Sequence, residues 1–290
     1  MLMFWYNNQT NYVRWADALS DEYRLECGVR QGGLTSPRLF NLYINDLIEE
    51  LSSSKIGCHI DGVCVNNISY ADDMALLSPS VSALKKLVGM CERYAVTHGL
   101  KYNEKKSELM LFRAGNKTYP FEQEIELNGA PLQRVNKFKY LGHWVTPDLS
   151  DNLDIERERR SLAVRCNMLA RRFAGCTKEV KVTFFKAYCQ SFYTCSLWVN
   201  YTKRAYSDLR VQYNNAFRAL MGLRRFCSAS GMLAEARVDS FQAIMRSRCL
   251  SMWRRMRCGS NGILNALADR WDSPMLARWI RLHAVKLTAF

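Results

Sequence analysis

Near residue 150 the apolar pattern of the chain changes period, and a fold built from one kind of element cannot absorb both halves. Before that point, short runs of strand length alternate with two helical stripes; after it, nearly every apolar residue recurs at helical spacing. Behind Ser36-Pro37, which reads as an N-cap with proline in the first turn, Leu39, Phe40, Tyr43, Ile44, Leu47, Ile48 and Leu51 mark a core-facing helix. A second helix fits Ser80 to Val96 and ends at His98-Gly99. Strands fit Tyr12–Trp15 and Tyr23–Cys27 as a hairpin, then residues 56–77 as two strands joined at Asp61-Gly62 with a second turn at Asp72-Asp73. Leu109–Phe112, Ile125–Leu127 and Phe138–Leu141 complete the strand-like runs.

From about Asp151, the stripe Ile155, Leu162, Cys166, Leu169 and Phe173 opens a helical region that continues through 178–199, 204–221, 230–237 and 239–258. Pro274 interrupts any helix beyond residue 259, where Trp271, Trp279 and Leu282 form either a packing patch or a tail. The expected fold is therefore α+β, with a mixed part at 1–150 and an all-helical part at 151–290.

Charge changes at the same place. Residues 1–150 hold 16 Lys/Arg against 17 Asp/Glu, and residues 151–290 hold 25 against 10. A near-neutral half joined to a half of net charge +15 suggests a polyanion partner for the second, attracted through phosphates and counterion release. Arg157-Arg159-Arg160, Arg171-Arg172 and Arg254-Arg255-Arg257 are the candidate phosphate contacts, and a solvated helix face is the plainer reading of each. The 11 cysteines include no Cys-x-x-Cys pair, and none of the 4 histidines has zinc-finger spacing. Reduced cysteines point to an intracellular protein, in nucleus or cytoplasm. The apolar run Met1–Tyr6 is too short to span a membrane, so no membrane partner is expected.

Two adjacent aspartates on a tight turn can direct carboxylate oxygens at one point, which suits a hard divalent cation while leaving room for water and phosphate. Alone, Asp72-Asp73 is more readily a turn than a metal site, because aspartate favours turns through local hydrogen bonds. Three companions change that balance. Gly28–Asn41 contains glycines and the donors Arg30 and Gln31 just before a helix start. Gly99–Ser107 and Phe138–Gly142 follow downstream. Each alone reads as an ordinary turn, loop or strand; all in this order are not accidental.

On these motifs the chain resembles the reverse transcriptases of non-LTR (LINE-type) retrotransposons, from about Phe4 into the basic helices past Trp198. The resemblance implies a partial right-hand polymerase palm, an antiparallel sheet with helices, followed by a basic all-helical thumb and C-terminal extension. It makes Tyr70-Ala71-Asp72-Asp73 the metal-binding turn, with Asp72 the principal ligand to both of two Mg²⁺ ions and Asp73 a weaker or bridging one. Arg30, Gln31 and Gly32 would touch template and incoming nucleotide, as would Tyr70 and Ala71. Lys106, in Asn103-x-x-Lys106-Ser107, would stand near the leaving pyrophosphate as an acid. Tyr140, Leu141 and Gly142 would grip the primer end. The implied partners are an RNA template, a DNA primer and deoxynucleoside triphosphates.

The family also places an aspartate and a nucleotide-selecting aromatic on an earlier palm strand, several tens of residues before the Arg30 segment, whereas 29 residues precede Arg30 here. Asp17 and Asp21 fall in the hairpin, where the family has no ligand. The expectation is RNA-directed DNA polymerase ancestry with an isolated chain that does not polymerise unless a partner or an N-terminal region completes the palm. The alternatives are a non-catalytic nucleic-acid-binding remnant using the basic half, or a decayed copy with no function of its own.

Overall fold

The computed structural model describes residue 4 and residues 7–24, 28–112, 124–268, 270 and 272–283. The chain divides into two compact units, Met1–Lys101 and Tyr102–Phe290. In the first unit, β1 (Thr10–Asn11) pairs antiparallel with β4 (Tyr23–Arg24), and β2 (Arg14–Trp15) with β3 (Ala18–Leu19). The expected pairing of Tyr12–Trp15 with Tyr23–Cys27 is thereby corrected. Ala16-Asp17 turns the chain earlier, and Ser20 closes the arm by receiving the Val13 N–H on its hydroxyl at 2.9 Å. Leu25–Cys27 lie outside the described residues.

Helix α1 (Ser36–Ser53) buries Ile44, Leu47 and Leu51, so only the later part of its apolar stripe lies in the core. Its N-cap is Thr35 and not Ser36; Ser36 is already helical and buried, and its hydroxyl donates backwards to the Arg30 carbonyl at 2.6 Å. The strands β5 (His59–Ile60), β6 (Val63–Cys64), β7 (Asn67–Tyr70) and β8 (Asp73–Leu76) form two successive hairpins where two strands were expected. Helix α2 (Val81–Thr97) begins as expected, with the Ser80 hydroxyl accepting the Ala83 N–H at 3.3 Å. It packs on α1 through Tyr94, whose ring stacks on His98 and whose hydroxyl donates to the Tyr43 carbonyl.

The second unit opens with β9 (Glu108–Leu109), β10 (Glu126–Leu127), β11 (Ala130–Pro131), β12 (Gln133–Arg134), β13 (Phe138–Tyr140) and β14 (His143–Val145). Strands pair two by two, antiparallel except for β9 with β12. The helices are α3 (Asn152–Arg172), α4 (Lys178–Phe184), α5 (Lys203–Met221), α6 (Ala229–Glu235), α7 (Phe241–Cys258), α8 (Gly262–Ala268) and α9 (Pro274–His283). Thr177, Thr202, Ser228 and Ser240 cap four of them by accepting the N–H three residues on. The core between these helices is aromatic: Phe185, Trp198, Tyr213, Phe217 and Phe241 are all buried. The change of pattern near residue 150 coincides with the start of α3.

Two expectations for this region are corrected. The helix expected over 178–199 leaves α geometry after Phe184, runs as a π turn over Phe185–Cys189, and continues as non-helical turns. The apolar spacing hides this, because Phe185, Cys189, Phe192, Cys195 and Trp198 remain buried at intervals of three and four. Pro274 does not interrupt a helix but begins α9, where a residue without an N–H sits at no loss. Trp271 of the expected aromatic patch lies outside the described residues, while Trp279 stacks on Trp253. Among the described residues no helix is long and apolar enough to cross a membrane.

Candidate metal centre and candidate substrate-binding turns

The Tyr70–Asp73 segment forms a two-residue hairpin: Tyr70 pairs with Asp73, leaving Ala71 and Asp72 as the turn. Ala71 has φ +51°, a left-handed conformation that is unfavourable by about 1–2 kcal/mol for a residue with a Cβ. The conformation persists because the strands below are firmly held. Buried Asn66, just before β7, donates through its amide to the Leu51 and Ile56 carbonyls, the latter at 2.7 Å. The Leu77 N–H, just after β8, returns to the Asn66 carbonyl at 2.8 Å. Gly57 packs so closely that a Cβ there would stand 2.5 Å from that of Asn66. Met74 faces inward, its sulfur 3.9 Å from Cys91 Sγ on α2. Asp72 and Asp73 are exposed at the end of this anchored hairpin.

Two adjacent exposed carboxylates offer the hard oxygen donors that Mg²⁺ requires, so the pair fits part of such an ion's coordination shell. Among the described residues no group of three or more His, Cys, Asp or Glu side chains is arranged to hold a metal. The remaining ligands of an ion bound there come from water, from substrate phosphate or from a further protein group.

The Arg30–Gly33 turn lies at the other end of α1. The Gly33 N–H donates to the Arg30 carbonyl at 3.0 Å, and Gly32 has φ +79°, which places glycine where the turn needs it. Gly33 has no space for a side chain, because a Cβ would stand 2.6 Å from Ser36 Oγ. The carbonyl of Arg30 is thus fixed by two donors while the Arg30 and Gln31 side chains face solvent. Helix α1 therefore carries the Arg30 turn through Ser36 at its start and the hairpin through Leu51 near its end.

The other two candidate segments belong to the second unit. Lys106 lies in a single turn organised by Asn103, whose side-chain oxygen accepts the Lys106 N–H at 3.2 Å, and the Lys106 side chain is exposed. Tyr140–His143 is a second two-residue hairpin, with Leu141 at φ +45° and Gly142 at φ +87°. Behind it lies a group of buried polar residues that sequence reasoning missed. Asp154, wholly buried in the first turn of α3, accepts from Arg157 Nε, Thr194 Oγ1 and Trp198 Nε1, each at 2.7 Å. The Trp144 N–H adds a bond of 3.3 Å, and His143 Nδ1 stands 3.2 Å from Asp154 Oδ2. Burial alone would raise the Asp154 pKa, but His143, Arg157, Trp198 and Thr194 together hold it far below the usual carboxylate range. Neighbouring Asp151 moves the other way: burial raises it, and the backbone N–H groups of Val199 and Asn200 offset part of that rise.

This network also shows which of the candidate arginines have an acidic partner within the chain. Arg157 is committed to Asp154 and Glu158, and Arg159 and Arg160 both pair with Glu156. Arg171, Arg172, Arg254, Arg255 and Arg257 are exposed, as are Arg246 and Arg248 on α7. The acidic residues Asp154, Glu156 and Glu158 on an otherwise basic helix were the available sequence sign that some of its arginines are internally paired.

The hairpin carboxylates, the glycine-rich turn before a helix and Lys106 all fall within a stretch that matches a known family. Residues 4–145 match the reverse transcriptase (RNA-dependent DNA polymerase) family. The chain is 30% identical over 122 residues to the Pol polyprotein of type-1 retrotransposable element R2 from Popillia japonica, covering 40% of this chain and 20% of that protein. It is 30% identical over 133 residues to the corresponding polyprotein of type-2 element R2DM from Drosophila melanogaster, covering 42% and 12%. With the RNA-directed DNA polymerase of mobile element jockey from Drosophila funebris, identity is 21% over 267 residues, covering 86% of this chain and 28% of that protein. Residues 4–145 thus carry the reverse transcriptase match, and the similar proteins are those of the non-LTR retrotransposons R2 and jockey. The chain spans under a third of the length of each of these relatives.

Proposed function

We propose that the chain forms the later palm and the thumb of an RNA-directed DNA polymerase, with residues 1–150 contributing palm and primer-grip hairpin and 151–290 the basic thumb and extension. The observation that carries this reading is the exposed Asp72–Asp73 pair on a rigidly anchored hairpin, inside the stretch that matches the family. Asp72 and Asp73 would hold Mg²⁺ through their carboxylate oxygens, Asp72 as the main ligand. Mg²⁺ held there would supply charge stabilisation for the attacking and leaving oxygens of phosphoryl transfer. Lys106 donates a proton towards the departing pyrophosphate. Arg30, Gln31 and Gly32, with Tyr70 and Ala71, contact template and nucleotide, and Tyr140, Leu141 and Gly142 hold the primer end. RNA template, DNA primer and deoxynucleoside triphosphates are the substrates.

Metal positioning by carboxylates supplies much of the rate in such reactions. Two carboxylates alone therefore leave the isolated chain inactive, and a polypeptide bearing the earlier palm strand restores activity. Primer extension on an RNA template with Mg²⁺ tests this. We expect no product from the chain alone, product when the earlier strand is supplied, and none when Asp72→Ala is used. Extension that survives Asp72→Ala would overturn the metal-ligand role.

The exposed arginines of α7 favour a second reading, a nucleic-acid-binding remnant. Filter binding against salt concentration tests it: a flat response, or no binding at low salt, removes it.

A further inference from the structure

Tyr193 lies against the Leu141–Gly142 turn from a segment 52 residues later in the chain. Its hydroxyl donates to the Leu141 carbonyl at 3.0 Å. Its ring lies so close over Gly142 that a Cβ there would come within 2.9 Å of Cε1. Tyr193 is more than half exposed, so its place over the turn is not imposed by burial of its own ring. The backbone imposes it. Thr194 has φ +65°, a region that β-branched residues almost never enter. Phe192 and Cys195 anchor the segment on either side by lying in the core. The Thr194 hydroxyl donates to buried Asp154 at 2.7 Å, and Arg157 reaches the same hydroxyl at 3.4 Å. Strain of this kind survives only where the surroundings over-determine it, and it concentrates where a side chain must be aimed.

We propose that Tyr193 is a positioning residue that fixes the Tyr140–Gly142 turn, and that the strained Thr194, held by its hydroxyl on Asp154, aims it. This inference rests on the reading of that turn as the primer-end grip. Asp154 touches both sides of the arrangement, bonding the Trp144 N–H beyond the turn and Thr194 beside the tyrosine. The carboxylate thus sets the distance between the hairpin and the residue that clamps it. An exposed hydroxyl bonded to a turn carbonyl adds little to overall stability, and its effect falls on the position of the turn.

The test uses the 290-residue chain bound to an RNA template annealed to a DNA primer. The fluorescent base 2-aminopurine is placed either at the primer 3′ end or several bases inside. Affinity is read separately from the anisotropy of a dye on the template. Tyr193→Phe keeps the ring and removes the bond to Leu141. It is expected to reduce the terminal-base fluorescence change by about threefold or more, the size of one lost hydrogen bond. The interior-base signal, the affinity and the melting midpoint stay near those of the unmodified chain. Thr194→Gly reproduces the loss, and Thr194→Ser, which keeps the hydroxyl, does not. If Leu141→Gly lowers the terminal signal and Tyr193→Phe does not, the clamp is overturned while the primer-end reading stands. If the terminal signal depends on neither residue, both are overturned.

Discussion

Trp198 donates its indole N–H to Oδ2 of Asp154 at 2.7 Å, and neither residue is exposed to solvent. Removing this donor while keeping an aromatic ring leaves a buried carboxylate oxygen short of one partner. Trp198→Phe is expected to destabilise the second unit by about 1.5–3 kcal/mol, the range for hydrogen bonds to charged groups. Asp154→Ala, which strands the Arg157 charge and several donors at once, is expected to reach about 3–5 kcal/mol. Urea unfolding followed by tryptophan fluorescence measures both, and an Asp154→Ala effect below that of Trp198→Phe would contradict the assignment of Asp154 as the shared acceptor.

The same carboxylate governs acid stability. Its folded pKa lies below the unfolded value, so its contribution is complete above about pH 4 and is lost as pH falls through the folded value. Asp151 has the opposite sign, because its folded pKa is raised and its contribution is lost as pH rises. Asp154→Asn should therefore flatten the acid limb of a stability-against-pH curve below about pH 4, whereas Asp151→Asn should not. Denaturant midpoints taken between mildly acidic and strongly acidic buffers give the comparison.

Gly57→Ala tests the support of the Asp72–Asp73 hairpin. The new Cβ would stand 2.5 Å from Asn66 Cβ and 2.7 Å from the Leu77 carbonyl, at a φ of +109° that disfavours any side chain. A loss of about 1–3 kcal/mol is expected from overpacking. Hydrogen exchange at Val65 and Leu77, whose N–H groups close this meander, should accelerate; unchanged protection there would contradict the arrangement.

Ala71→Gly relieves the left-handed strain at the hairpin tip. It is expected to leave stability unchanged or raise it by up to about 1 kcal/mol, the conformational gain being partly offset by a more flexible unfolded chain. A clear loss in thermal unfolding would mean that Ala71 makes contacts its exposed position does not suggest.

Internal pairing of arginines gives a prediction about salt. Replacing Arg254, Arg255 and Arg257 by alanine should lower the slope of log affinity against log salt by about one unit for each phosphate contact removed. Replacing Arg159 and Arg160, which are occupied by Glu156, should change the slope much less. Equal effects would show that the Glu156 pairs open on binding.

What the sequence reveals and what it conceals divide along local and non-local lines. Helix α2 is legible because Ser80, the apolar stripe and Gly99 all speak through neighbours in sequence. The turn at Ala71-Asp72 is legible for the same reason. Its support is not, because Asn66 is an unremarkable polar residue until the Leu51 and Ile56 carbonyls lie beside it. The departure from helix after Phe184 is hidden because burial keeps nearly helical spacing through Trp198 while the hydrogen bonds change. Pro274 misleads because proline at a first position and proline in an interior look alike in a string. The arginines of α3 mislead because a net charge counts residues and ignores the partners of each.

Asp154 gathers donors from residues 144, 157, 194 and 198, which belong to a hairpin, a helix and a segment 40 to 44 residues further along the chain. A partly assembled second unit would hold that carboxylate away from water with some of its donors still missing, a state of high free energy. Intermediates with α3 docked but the 190s segment detached are therefore disfavoured, and these elements should lock together in one late, cooperative step of folding. Because its Thr194 and Trp198 bonds to Asp154 each close a loop of 40 or 44 residues, this unit should fold more slowly than a helical bundle of similar size.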